Sequence, residues 1–111
     1  MEIENTNIVS IDKIITPNEL KSKYPLGDTK HNIIKWRSEI DNIIQGKDKR
    51  LLVIMGPCSI HDTVAALEYA SKLKELIDLH SDKLFIVMRV YFEKPRTTVG
   101  WKGLINDPDL N

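Results

Sequence analysis

The chain has 111 residues, 41% of them apolar, which is the composition of an ordinary water-soluble chain and room for one domain at most. Its 16 basic and 16 acidic side chains balance to zero, so no electrostatic footprint points to nucleic acid or to an anionic membrane surface. The longest apolar runs, Leu51 to Pro57 and Leu84 to Met88, fall far short of the roughly 20 residues of a membrane helix. MEIENTNIVS lacks a basic-then-apolar signal pattern, and the lone Cys58 cannot close an internal disulfide, so the expectation is a cytoplasmic chain in which Cys58 acts through reactivity or metal binding.

Residues 1–29 carry scattered Ile, Val and Leu with Pro17, Pro25 and Gly27 as punctuation, and read as an arm. Within the arm, Pro17 to Tyr24 suits about two helical turns, with Thr16 as cap and Pro17 at the first helical position. From Lys30 the pattern sharpens: Ile33, Ile34, Trp36, Ile40, Ile43 and Ile44 form a stripe at helical spacing, with Asp28 and Thr29 as candidate caps and Gly46 as the stop. Trp36 reads as packing rather than binding, and the run Gly46 to Arg50 (GKDKR) as a solvated turn. Leu51 to Met55 (LLVIM) is a continuous apolar run that suits a strand buried on both faces. A second helix follows, capped by Asp62, with Val64, Ala65, Leu67, Ala70, Leu73, Leu76 and Ile77 as its apolar face. Leu84 to Val90 (LFIVMRV) is the second strand, and strand, helix and strand in about 40 residues make a βαβ unit with parallel strands. Tyr91 to Asn111 has no periodic segment, a length that is unusual unless functional or disordered.

Two doubly buried parallel strands need helices on both faces or closure into a barrel, and one crossover helix with one preceding helix supplies neither. A (β/α)8 barrel takes roughly 250 residues, so the expected fold class is α/β: an N-terminal arm over 1–29, then the start of such a barrel over 30–111, truncated, in an N-terminal fragment.

Gly56-Pro57-Cys58-Ser59-Ile60-His61-Asp62 lies where the first strand ends, the edge on which α/β proteins place their sites. There Cys58 is either a thiolate nucleophile or metal ligand, or a small buried hydrophobe. A phosphatase-type cysteine loop would need an arginine shortly downstream, and Ser59 to Val64 contain none. His61 has ligand spacing to Cys58 but reads better as a structural residue at the helix start, and His31 and His80 as surface residues. The second strand leads into Arg89-Val90-Tyr91-Phe92-Glu93-Lys94-Pro95-Arg96-Thr97-Thr98, three cations and two hydroxyls at the same rim, which resembles an anion site. Two of the four arginines lie in it, against 12 lysines in the chain. A solvated charge run is the plain alternative, against which stands Arg89, placed inside an apolar strand run where an unpaired charge is costly.

GPCSIHD, followed after a helix by IVMRVYFEKPRTTVGWKGLINDPDLN, resembles the metal-dependent, aromatic-feedback-regulated microbial 3-deoxy-7-phosphoheptulonate (DAHP) synthases over Arg50 to Asn111. The resemblance implies a TIM barrel that condenses phosphoenolpyruvate with erythrose 4-phosphate and releases phosphate, at the head of the shikimate pathway. It also implies a divalent metal (Mn, Fe, Co or Zn) held by Cys58 together with a His, a Glu and an Asp on later strands. Arg89 matches an arginine of the phosphoenolpyruvate site and Lys94 the active-site lysine between the two substrates. Pro95, Arg96 and Thr97 match the loop that holds the erythrose 4-phosphate phosphate, and Tyr91 lines the same pocket. An aromatic amino acid as feedback inhibitor and a homo-oligomer are implied as partners, with the arm contributing to both.

The sister activity on arabinose 5-phosphate carries Lys-Ala-Asn-Arg-Ser in the corresponding loop, and Lys-Pro-Arg-Thr decides against it. The rival of another class is a non-catalytic regulatory or partner-binding paralogue, against which the intact set Cys58, Arg89, Lys94 and Arg96 speaks.

Overall fold

The computed structural model describes residues 10–94, 100–101 and 103–109. These form an α/β structure of three helices and two strands, in the order α1 (Pro17–Lys23), α2 (Thr29–Ile44), β1 (Leu51–Met55), α3 (Thr63–His80) and β2 (Leu84–Met88). They divide into two compact units, one up to Lys35 and one from Trp36 onward.

In the first unit, α1 begins where the sequence places it. The Thr16 hydroxyl accepts from the Glu19 amide at 3.2 Å while the Glu19 carboxylate accepts from the Thr16 amide at 2.8 Å, a reciprocal capping box with Pro17 at the first helical position. The Thr16 amide foremost, and then the Thr16 side chain, hold the Glu19 carboxyl below the usual range. Helix α2 starts on Thr29 itself, which is a correction to Thr29 as a cap: its hydroxyl donates to the Leu26 carbonyl, and its amide to the same oxygen at 3.2 Å.

In the second unit, Gly46 stops α2 as expected, in the left-handed region at φ 76°. Its amide reaches the Ile43 carbonyl at 3.1 Å and the Lys47 amide reaches that of Asn42 at 2.8 Å, the paired bonds of a Schellman ending. The next residues correct the reading of a solvated turn. Arg50 donates to Asp48 at 2.7 Å and to Glu39 of α2 at 3.3 Å, reaches the Ser81 carbonyl at 3.4 Å, and lays its guanidinium 5.1 Å from the centre of the Phe85 ring. One cation thus ties the end of α2, the approach to β1 and the entry to β2. A periodicity argument misses it because Arg50 acts through its planar fork rather than through any face of a helix or strand.

The strands are parallel and in matched register, Leu51 opposite Leu84 through Met55 opposite Met88, with α3 as the crossover packed against β2. Pairing stops at Met55 because β1 runs into Gly56 and Pro57, and proline has no amide to continue the ladder. The last rung is the Arg89 amide on the Met55 carbonyl at 2.8 Å. The second strand is therefore shorter than Leu84 to Val90, and Arg89 lies exposed just beyond it rather than inside an apolar run. The argument from a costly buried charge at Arg89 is withdrawn with it.

Helix α3 is capped as predicted, Asp62 accepting from the Val64 and Ala65 amides at 2.9 and 3.2 Å. Of its apolar stripe only Leu73 is buried, at 4% exposure, whereas Val64 stands at 74% and Leu67 at 71%. Double burial of β1 is not realised among the described residues either, with Leu51 and Ile54 about two-thirds exposed, because α3 is the helix that packs on the sheet. Trp36, read as a packing residue, is half exposed.

Two expectations follow. The 111 residues in isolation melt without a cooperative transition and with collapsed amide dispersion, because Ile60 and Leu73 are the buried apolar side chains among the described residues; a sharp calorimetric transition would refute this. The Arg50 side chain, and then its amide, hold the Asp48 carboxyl below the usual carboxylate range, so the bound proton favours the unfolded state. This stabilisation is complete above the ordinary aspartate value of about 3.9 and is lost as pH falls through the lower folded value. Asp48→Asn in the whole protein flattens that part of the acid limb, read by thermal unfolding between roughly pH 5 and 2.

Candidate active site

The site grows from the carboxyl ends of the paired strands. At the exit of β1 the backbone of Gly56 passes so close to β2 that an added Cβ would lie 2.6 Å from the Arg89 carbonyl oxygen, so a side chain there would push the two strand ends apart. Pro57 then fixes the turn that presents Cys58 to solvent, which settles one alternative: Cys58 is exposed, not a small buried hydrophobe. The following residues are fastened to the exit of β2. The Ile60 amide and the Ser59 hydroxyl both donate to the Tyr91 carbonyl, at 2.8 and 3.1 Å, while the Ile60 side chain is buried beneath.

Across this junction Lys94 donates from Nζ to the Cys58 Sγ at 2.8 Å, over a sequence separation of 36 residues. The contact sets a compact cation beside a soft sulfur donor of the kind that ligates metals. Arg89 is exposed, with its guanidinium 5.3 Å from the centre of the Tyr91 ring, a cation–π contact that orients the planar fork. Cys58 and Lys94 thus meet beyond the strand ends, while Arg89 and Tyr91 pair with each other on the exit of β2. Pro95, Arg96 and Thr97, the remaining predicted substrate residues, lie outside the described residues.

Among the described residues no three His, Cys, Asp or Glu side chains gather as a metal site. The exposed Cys58 fits the role of one soft donor, and His61 does not complete a set with it.

Two contributors were not singled out by sequence reasoning. Glu93 and Gly103 form an antiparallel bridge, so the stretch read as structureless folds back on itself. The Leu104 amide donates to the Phe92 carbonyl at 2.8 Å, the Asn106 amide side chain to Glu93 Oε1 at 2.7 Å, and the Trp101 indole to the Asp107 carbonyl at 2.7 Å. Glu93 Oε2 is buried and has no partner among the described residues. The clue in the sequence was the glycine: an added Cβ at Gly103 would lie 2.1 Å from the Phe92 carbonyl oxygen, so this contact requires its absence.

Comparison with known proteins gives the same orientation. The phospho-2-dehydro-3-deoxyheptonate aldolase of Haemophilus influenzae is 56% identical over 109 residues, which is 97% of this chain and 30% of that protein. The Trp-sensitive enzyme of that name from Escherichia coli K12 is 56% identical over 103 residues (91% and 29%), and its Tyr-sensitive counterpart 53% identical over 110 residues (98% and 31%). A solved phospho-2-dehydro-3-deoxyheptonate aldolase from Francisella tularensis SCHU S4 superposes with a TM-score of 0.81 at 52% identity, covering 93% of this chain and 31% of that one. The chain therefore spans about 30% of the length of the curated relatives it matches. Residues 14–111 match the model of the DAHP synthetase I family, and the chain belongs to that family.

Proposed function

We propose that the whole protein is a DAHP synthase, condensing phosphoenolpyruvate with erythrose 4-phosphate and water to give 3-deoxy-D-arabino-heptulosonate 7-phosphate and phosphate. The observation that carries this reading is the Lys94 ammonium 2.8 Å from the Cys58 sulfur, at the carboxyl edge of two parallel strands in a chain of this family. In this reading β1 and β2 are the first two strands of a (β/α)8 barrel, and the site lies on the face where such barrels place theirs.

Cys58 is one ligand of a divalent metal ion whose remaining ligands come from elsewhere in the whole protein. When bound, that ion supplies Lewis-acid polarisation of the aldehyde oxygen. The other tasks fall to side chains of this chain. Arg89 offers its fork to the phosphate or carboxylate of phosphoenolpyruvate. Lys94, standing between the substrates, stabilises or protonates the oxygen that becomes an alkoxide as C3 of phosphoenolpyruvate bonds to C1 of the aldehyde. Tyr91 lines the pocket beneath Arg89, and Pro95, Arg96 and Thr97 take the phosphate of erythrose 4-phosphate. Water adds at C2, the C2–O bond to the phosphate breaks, and inorganic phosphate leaves. No covalent enzyme intermediate is required, which makes Cys58 a ligand rather than a nucleophile.

The Trp-sensitive and Tyr-sensitive names of the relatives support an aromatic amino acid as feedback inhibitor, in a homo-oligomer to which residues 1–29 contribute. The lone Cys58 and the absence, among the described residues, of a helix long and apolar enough to cross a membrane accord with placement in the cytoplasm.

The whole protein, offered erythrose 4-phosphate and arabinose 5-phosphate in parallel, releases phosphate from phosphoenolpyruvate with the first and not the second. Chelation abolishes the activity, a divalent ion restores it, and Lys94→Ala lowers kcat by about 100-fold or more. Phosphate release that survives exhaustive chelation, or that prefers the pentose phosphate, would overturn the assignment. Deleting residues 1–29 from the whole enzyme relieves inhibition by the aromatic amino acid while condensation persists; undiminished inhibition of the shortened enzyme would remove the arm from regulation.

A further inference from the structure

The segment Tyr91-Phe92-Glu93, which delivers Lys94 to the site, is held on two sides by different parts of the chain. On one side its Tyr91 carbonyl takes the Ile60 amide and the Ser59 hydroxyl from the Cys58 loop. On the other side its Phe92 carbonyl takes the Leu104 amide, its Glu93 backbone bridges Gly103, and its Glu93 carboxylate takes the Asn106 side chain at 2.7 Å. The second attachment tolerates no Cβ at Gly103, which would lie 2.1 Å from the Phe92 oxygen and 2.7 Å from the Glu93 Cα. It also buries the second Glu93 oxygen without a partner among the described residues, an arrangement that is costly unless the carboxylate is needed where it is. A carboxylate used only to cap the exposed Asn106 would face solvent.

We propose that Glu93 and Gly103 act together as a latch that positions the Lys94 ammonium against Cys58. Glu93 precedes Lys94 directly, so the direction in which the Lys94 side chain leaves the backbone is set by the residue the latch holds. Neither latch residue is among those assigned above to the substrates. They act through Lys94, whose reach to the Cys58 sulfur depends on the backbone from Tyr91 to Glu93 being fixed at both edges. The inference rests on the reading of Lys94 as the active-site lysine.

The test uses the whole, metal-loaded enzyme with Glu93→Ala, Glu93→Gln, Gly103→Ala and Asn106→Ala. Loss of positioning by even about 1 Å is enough to lower kcat between roughly 10- and 100-fold, and that fall is expected for Glu93→Ala and Gly103→Ala, normalised to folded enzyme by calorimetry. Glu93→Gln keeps an acceptor for Asn106 and recovers kcat to within about threefold of the parent, whereas Asn106→Ala, leaving the backbone bridge intact, falls by about threefold. A merely structural role would lower the melting temperature and leave the kcat of the folded fraction intact, and that result, in Glu93→Ala or in the milder Asn106→Ala, overturns the latch. Crystal structures of the metal-free whole protein supply a readout independent of activity. The Lys94 Nζ to Cys58 Sγ separation stays within hydrogen-bond range in the parent and in Glu93→Gln and opens beyond about 4 Å in Glu93→Ala. An unchanged separation in Glu93→Ala overturns the proposal. A parent enzyme that fails to condense the two substrates defeats the reading of function, and the latch then stands or falls on that separation.

Discussion

Parallel pairing of β1 with β2 is the constraint on which the rest depends. Cys58 and Lys94 are 36 residues apart, and nothing local brings them together. Two strands aligned rung for rung, Leu51 with Leu84 to Met55 with Met88, end at the same height, so whatever follows one must face whatever follows the other. Gly56 lets the two backbones approach at that height, Pro57 ends the pairing, and the Tyr91 carbonyl gathers two donors from the loop that follows. The site is a product of register: a slip of one residue would turn every strand side chain to the opposite face and misalign the loop bonds.

The charges at the rim and at the opposite end of the sheet perform different tasks with similar side chains. Arg50 spends its part-buried fork on Asp48, Glu39 and the Ser81 carbonyl, joining three elements at the amino ends of the strands. Arg89, at the carboxyl ends, has no carboxylate partner among the described residues and leans on the Tyr91 ring instead. The first arginine is spent on ion pairs within the fold, and the second stands exposed against an aromatic ring.

Local signals in the sequence were legible wherever one residue type has one dominant use. Thr16 with Glu19, Gly46 after the α2 stripe and Asp62 before α3 form what their chemistry predicts, and the LLVIM run forms its strand without the double burial expected of it. Meeting of Cys58 with the residues after β2 was also legible, because a βαβ unit leaves both loops on one edge. The strand end at Met88 was not, since Val90 carries the apolar run past Arg89 while the actual stop is imposed by Pro57 on the partner strand. Arg50 and Glu93 were missed for a common reason: each acts through contacts distant in sequence, Arg50 with Phe85 and Glu93 with Asn106, to which no periodicity points.

Among the described residues the sheet has two strands, so each strand also has an edge whose amides and carbonyls meet no neighbour. Such an edge, flanked by exposed Leu51 and Ile54, is a template that accepts any extended segment of suitable character. That edge has two competing occupants of the same chemistry, a further strand of its own chain or the edge of a second copy. Speed of strand addition, rather than the strength of any one contact, then decides between completion of the sheet and self-association.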